Sequence, residues 1–281
     1  MGDVANYLHE EVEASSAPVR VVVCGATGAA GRRLIPALAT RSDFILVGAV
    51  GRRGAGEDVG RVLGGHEVGV CVTEDVRQVL SDVECQVLVD FTAPGAAVDH
   101  CQAAMDVGAS VLIGTTGIDP NEISRLGNVA ADRNVAVFLA PNMTLSAQLV
   151  LRCAELVRPY FGDVEIIEVH QPSKLDAPSG TSIETAQRLN RCSAPPATLD
   201  QTAVGRLESR GTRIGQVQIH SVRLPGVYDR QEVLFSRPDE LLTLRFDQFS
   251  ALPLVEPTLR AIRLLPGQPG GLLRELPGLF D

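Results

Sequence analysis

Val19-Arg-Val-Val-Val-Cys24-Gly25-Ala26-Thr27-Gly28-Ala29-Ala30-Gly31 decides the fold of this 281-residue chain. Apart from Arg20, the first six residues are an apolar, β-branched run, the pattern of a strand buried on both faces of a parallel sheet. Glycines at 25, 28 and 31 follow at once, and residues 32–40 (RRLIPALAT) have helical spacing despite Pro36. Such a turn bends tightly, lets the backbone approach a pyrophosphate, and leaves the first amides and positive end of the helix free to meet its charge. A purely structural strand-to-helix turn would carry the same glycines, so the loop gains its meaning from its surroundings.

Outward from it, FILVGAV (44–50) reads as a second buried strand, completing a βαβ unit. GVCV (69–72), CQVLVDF (85–91), ASVLIGT (109–115) and VAVFLA (135–140) continue the strands, and 96–108 and 121–134 have helical spacing between them. Alternation of this kind predicts an α/β fold, a Rossmann-type doubly wound parallel sheet. After Asn142 a long helix is expected near 146–161, then a strand at 164–170, a loop and another helix. RIGQVQIHSVRL (213–224), QEVLFS (231–236) and ELLTLRFDQF (240–249) alternate like antiparallel strands with one buried face. The expected organisation is therefore a mobile tail at 1–17, a dinucleotide-binding domain from 18–142 and 252–281, and a smaller α+β substrate-binding and oligomerisation domain at 143–251. In the returning part, 253–265 reads as a helix and the Pro/Gly-rich 266–271 as a loosened end.

A net charge of −9 and a pI near 5.1 exclude a broad nucleic-acid surface, which needs clustered cations to displace counterions. The six cysteines stand apart, with no C-x-x-C pair and no histidine at metal-ligand spacing, so reduced thiols and no metal are expected. The acidic first residues do not read as an export signal and no apolar run reaches the roughly 20 residues of a membrane span; a cytoplasmic location follows as an expectation. Of 25 basic residues, 24 are arginine and only Lys174 is lysine. An ammonium can release a proton near neutral pH and a guanidinium cannot, which makes the solitary lysine a candidate for chemistry.

In NAD-specific sites a carboxylate stands about 20 residues beyond the glycine loop. That place is Gly51, followed by Arg52 and Arg53, so a 2′-phosphate finds two guanidiniums and no acid. NADPH is the expected cofactor, with NADH possible.

The segment Glu168-Val-His170-Gln171-Pro-Ser-Lys174-Leu-Asp176-Ala-Pro178-Ser179-Gly180-Thr181 is the richest in chemistry. His170 ends a strand and exchanges protons near neutral pH, and Lys174 adds a positive charge and a second transferable proton. Thr181 and Glu184 have the spacing of a capping box, so the turn at 179–181 would present amides at a positive helix end, suited to a carboxylate.

This segment resembles the signature of the 4-hydroxy-tetrahydrodipicolinate (dihydrodipicolinate) reductases of lysine and diaminopimelate synthesis. The resemblance runs over about 19–190, through the glycine loop, Asp90-Phe91-Thr92-Ala93-Pro94, Gly114-Thr115-Thr116-Gly117 and Asn142. It implies His170 and Lys174 as the acid groups. It also implies cofactor contacts from residues 25–31 and 51–53, from Phe91, Thr92, Gly114, Thr115 and Thr116, and from Pro141, Asn142 and Met143. Thr116, Gln171, Lys174, Ser179, Gly180 and Thr181 would hold a cyclic imine dicarboxylate, and the assembly would be a homotetramer.

Some positions depart from the family pattern: Gln171 replaces a second histidine, Ala29-Ala30-Gly31 lacks an arginine, and Leu224–Gln231 and Ser250–Pro253 differ throughout. Two further readings therefore stand beside the first, a reductase of another cyclic imine or enamine acid and a non-catalytic NADPH-binding regulator; the last would leave His170 and Lys174 idle.

Overall fold

The computed structural model describes residues 17–140, 142–197 and 207–280. The opening run forms strand β1 (Val19–Cys24), and the glycine turn feeds helix α1 (Gly31–Thr40), which buries Leu34, Ile35 and Leu38. Pro36 stands inside α1 on its exposed side. There follow β2 (Phe44–Val50), the one-turn α2 (Val59–Val62), β3 (Val72–Thr73), α3 (Val76–Asp82), β4 (Val87–Asp90), α4 (Pro94–Asp106), β5 (Ser110–Ile113), α5 (Pro120–Asp132) and β6 (Ala136–Leu139). The chain crosses through α6 (Leu145–Val157) to β7 (Asp163–His170), α7 (Gly180–Arg191), β8 (Thr212–Ile214), β9 (Val217–Arg223), β10 (Asp229–Arg237) and β11 (Glu240–Gln248). It returns as α8 (Val255–Leu264) and β12 (Gly271–Leu273).

The first sheet has seven parallel strands in the order β12-β6-β5-β4-β1-β2-β3. Its strands are mostly apolar because both faces are covered: Val21, Val23, Val87 and Val89 pack with residues of α1 and α8, and Val22, Leu88 and Val111 with residues of α3, α4 and α5. The second sheet runs β11-β10-β7-β9-β8 and is mixed, because β9 lies parallel to β7 while its other pairs are antiparallel. One of its faces packs Ile166, Ile219, Val233 and Phe235 against Ala154 of α6 and Ala186 and Leu189 of α7.

Two expectations are corrected. Residues 266–271 do not loosen the end: Gly271–Leu273 extends the first sheet beyond β6, and Leu276 and Leu279 are buried, so apolar contact after the Pro/Gly stretch ties the end down. Residues 69–72 are not a strand as a whole; only Val72 and Thr73 pair with β2. The Asp58 carboxylate takes the amides of Val68 and Gly69, and Gly69 sits at φ 78°, which holds that approach as a loop. Residues 1–16 of the expected tail lie outside the described residues, and so does Pro141.

Strand order reverses beside β1, between β2 and β4, and the carboxyl ends of β1, β4 and β5 face the loop that follows β7. A crevice at such a reversal is where open α/β sheets bind ligands.

Candidate active site

At the end of β1, Gly25 turns at φ 78°, and a Cβ there would lie 2.2 Å from the Phe91 carbonyl oxygen. At Gly31 it would lie 2.3 Å from the Gly25 carbonyl oxygen, so loop and helix meet at backbone distance. The amides of Gly25 and Ala26 are spent on the Val50 carbonyl and that of Gly28 on the Gly25 carbonyl. Ala30 caps α1 without any side-chain bond, but the amides of Arg32 and Arg33 already go to the Gly28 and Ala30 carbonyls at 3.0 Å each, so what the turn offers an anion is chiefly the positive end of the helix. These features fit a pyrophosphate. Thr27 flanks the loop within reach of Gly51, where a Cβ would come 3.1 Å from its hydroxyl oxygen, and Arg52 and Arg53 follow on the open surface.

Asp90, fully buried at the end of β4, organises the next two loops. Its carboxylate accepts from the Thr92 amide at 3.1 Å and hydroxyl at 2.8 Å, from the Thr115 hydroxyl at 2.5 Å, and pairs with His100 Nδ1 at 2.7 Å. Thr115 is thus turned into the protein, and it also accepts from the Thr92 amide at 2.8 Å. Its work is to hold Thr92 and the 114–116 turn in place, where the Phe91 ring leaves no room for a side chain on Gly114. Cys24, Asp90 and His100 bring ligand atoms within 4.8 Å of one another. Burial first, then the Asp90 charge, pushes the Cys24 thiol well up, and every Asp90 oxygen already has a donor, which suits a structural knot better than a metal.

Beyond β7 the chain turns so that Lys174 donates its amide to the Gln171 carbonyl at 3.0 Å. The Lys174 Nζ lies 2.8 Å from Asp176 Oδ1 and 3.5 Å from the Thr116 hydroxyl, with its side chain 28% exposed. Burial opposes ionisation of Asp176, but the hydrogen bond and charge of Lys174 hold its carboxyl below the usual range. Arg223, at the end of β9, donates to the carbonyls of Lys174 and Asp176 and reaches Glu168 Oε1 at 3.2 Å. Glu168 also accepts the Ser179 amide at 2.8 Å; bonds from Ser179, Ser182 and Ser221 overcome the cost of burial and lower its pKa.

The capping box is corrected: Ser179, not Thr181, caps α7, its hydroxyl accepting from the Ser182 amide at 3.2 Å, while Glu184 reaches Arg274. Ser179 therefore spends its amide on Glu168 and its hydroxyl on the helix. Gly180 abuts Thr116, and Thr181 lines the cleft.

That cleft runs from Ala30, Phe91 and Gly114 past Thr116, Asn142 and Met143 to His170, Gln171, Lys174 and Thr181. It brings together part of the expected sets, Ala30, Phe91, Gly114, Thr116, Asn142 and Met143 with His170, Gln171, Lys174 and Thr181, whereas residues 25–29, Gly31, 51–53, Thr92, Thr115, Ser179 and Gly180 do not line it. Asp229 and Tyr228 complete its wall. Asn142 donates to Asp229 Oδ2 at 2.9 Å and accepts from Thr144, linking the crossing after β6 to the start of β10.

The chain matches the family models for the N-terminal part of dihydrodipicolinate reductase over residues 19–143 and for its C-terminal part over 142–276. It belongs to the dihydrodipicolinate reductase family, a family of nicotinamide-dependent oxidoreductases. Among curated relatives, the 4-hydroxy-tetrahydrodipicolinate reductase of Moorella thermoacetica is 38% identical over 263 residues, covering 91% of this chain and 97% of its own. That of Synechococcus elongatus is 36% identical over 272 residues, covering 92% and 99%. The solved dipicolinate-bound dihydrodipicolinate reductase from Paenisporosarcina sp. TG-14 superposes with a TM-score of 0.70 at 27% identity, covering 92% of this chain and 97% of that one. An amine dehydrogenase from Mycobacterium smegmatis, 15% identical with a TM-score of 0.67, shares the fold.

Within this reductase fold three groups went unnoticed in the sequence. Arg223 lies inside the strand run 213–224, Asp229 in a stretch that departs from the family pattern, and Glu168 at the head of the His170 segment, none of them with a role that its own neighbours in sequence reveal. Only Glu168 carried a signal: a carboxylate in the apolar run VEIIEVH must find donors if it is buried.

Proposed function

We propose that this chain reduces 4-hydroxy-tetrahydrodipicolinate to tetrahydrodipicolinate, a step toward diaminopimelate and lysine. What carries the reading is one cleft with Ala30, at the start of α1, on one side and His170 with Lys174 on the other. Bound nicotinamide supplies the hydride. Residues 25–31 hold its pyrophosphate; Phe91, Thr92 and Gly114, fixed through Asp90 and Thr115, shape the floor for its ring. Thr116, Gln171, Thr181 and the free amides of the α7 turn meet the substrate carboxylates, and Lys174 neutralises and polarises the ring at the cost of loosening its pair with Asp176. His170 moves a proton to the substrate.

NADPH is preferred over NADH, because Gly51 offers no carboxylate and Arg52 and Arg53 stand beyond it, exposed and open to a 2′-phosphate. The cofactor unit comprises residues 18–142 and 252–281 and the substrate unit 143–251. The enzyme works in the cytoplasm as a homotetramer; the outer face of the second sheet, with Leu241 64% exposed, is the surface for subunit contact. Among the described residues no helix is long and apolar enough to cross a membrane. The deciding experiment follows nicotinamide oxidation with freshly generated 4-hydroxy-tetrahydrodipicolinate against a panel of other cyclic imines. Turnover of that substrate at least as efficient as of any panel member is expected, and absence of turnover with it overturns the reading.

A further inference from the structure

His170 closes β7 and Asp229 opens β10, and the antiparallel register sets them directly opposite each other. Such pairs put side chains on one face within reach. His170 is 4% and Asp229 8% exposed. His170 Nε2 and Asp229 Oδ1 lie 3.6 Å apart, and both are buried without a hydrogen-bond partner. The rest of each group is fixed: Asn142 holds Asp229 Oδ2 at 2.9 Å, and the Tyr228 carbonyl serves the imidazole. The neutral ring therefore turns a bare lone pair toward a carboxyl oxygen. Two acceptors facing each other in a buried wall are unfavourable, and one proton between them satisfies both.

We propose that Asp229 is a positioning residue that shares one proton with His170, so that the pair, and not the imidazole alone, is the reservoir for the proton the reaction consumes. The inference rests on the reductase reading above. Exchanging a ring hydroxyl for hydrogen takes up one hydride, from the nicotinamide, and one proton, and releases the oxygen as water. His170 passes the proton to the substrate, the Asp229 carboxyl returns one to His170, and solvent refills the pair as product leaves. The surrounding charges agree. Burial raises the Asp229 carboxyl to about 7, with Lys174 opposing and Glu168 adding to the rise. Burial also lowers the His170 pKa, with Glu168 opposing and Lys174 and Arg223 assisting. From β11 the facing residue is the uncharged Gln248. Near neutral pH the pair thus holds a proton that neither member would keep as firmly alone.

The test compares Asp229→Asn and Asp229→Glu with the unmodified enzyme. Asparagine keeps the shape and still accepts from Asn142. The pH dependence of kcat/KM is measured with 4-hydroxy-tetrahydrodipicolinate and NADPH, and the imidazole protons are titrated by NMR without substrate, with His170→Asn identifying the signal. For Asp229→Asn the alkaline limb should move acidward by about one pH unit and the rate above neutrality fall about tenfold or more, with part of it restored by Asp229→Glu. The His170 signal should titrate lower in Asp229→Asn, because no carboxylate remains to stabilise the imidazolium. Superimposable pH profiles and an unmoved His170 titration overturn the proposal, whatever the change in Tm. If asparagine prevents folding, Asp229→Ser takes its place under the same criteria. An unmodified enzyme without turnover overturns the reductase reading, and the NMR titration still decides the shared proton.

Discussion

Replacing Lys174 by alanine tests the group on which the proposed chemistry depends. Its Nζ sits 2.8 Å from Asp176 and 3.5 Å from the Thr116 hydroxyl, in a cleft whose far side includes Ala30 at the start of α1. Two losses follow. A charged hydrogen bond to an anionic substrate is worth about 1.5–3 kcal/mol, so KM should rise roughly 10- to 150-fold. Loss of a group that polarises or protonates the reacting ring typically costs about 10²- to 10⁴-fold in kcat. The Asp176 carboxylate, freed of its partner, then faces the substrate anions and adds to the first loss. Lys174→Arg separates the two, since a guanidinium keeps the charge without a releasable proton: KM should recover and kcat should not. Steady-state nicotinamide oxidation, with Tm as a control for folding, gives both constants. Near-normal turnover in Lys174→Ala refutes the assignment; full kcat in Lys174→Arg refutes its proton role and leaves only a charge.

At Gly31 a Cβ would meet the Gly25 and Ala26 carbonyl oxygens at 2.3 and 2.7 Å. Gly31→Ala should therefore cost about 1–3 kcal/mol and weaken NADPH binding about tenfold or more, as read by thermal melting and fluorescence titration; unchanged binding would show that the loop does not cradle the cofactor. Arg52→Ala with Arg53→Ala should lower kcat/KM for NADPH by about tenfold or more and leave NADH little changed, and an equal loss for both cofactors contradicts a 2′-phosphate contact. Glu168 has a lowered folded pKa, so its ionised form stabilises the fold above the unfolded value of about 4.3, and that contribution disappears as pH falls through the folded value. The Tm gap between the unmodified protein and Glu168→Gln should be widest near neutrality and close below about pH 4; a gap independent of pH rules out the buried carboxylate as its source.

Much of the first sheet was legible because a strand covered on both faces is nearly all apolar, and Val19–Cys24, Phe44–Val50 and Val87–Asp90 are so apart from Arg20 and Asp90. The glycine loop was legible for a related reason: only backbone-sized residues fit at 25 and 31. Residue type singled out the His170 to Thr181 segment, and the fold sets His170, Gln171, Lys174 and Thr181 along one cleft. What stayed hidden arises from pairing across the sheet. Nothing in the local sequence near Tyr228 says that Asp229 will face His170, 59 residues earlier, because that neighbourhood is created by the β7–β10 register. The cap of α7 was misplaced by two residues because the box spacing at Thr181 and Glu184 competed with Ser179 and Ser182, and the partners of Glu168 decided between them. The end after Gly267 was read from composition alone, whereas Leu276 and Leu279 find cover only once α8 has returned to the first sheet.

The lone lysine gains its explanation from Arg223. That guanidinium joins the carbonyls of Lys174 and Asp176 to the Glu168 carboxylate, a task of several fixed donors in a plane, which a planar fork does well and an ammonium does poorly. The opposite holds at Lys174 Nζ, a compact charge that pairs with Asp176 and that the proposed reaction asks to turn toward a substrate anion and give up a proton. One cation holds the loop and the other works from it. In a chain that uses arginine at 24 of its 25 basic positions, the single exception falls at the one place where the proposed mechanism asks for a releasable proton, which a guanidinium cannot supply.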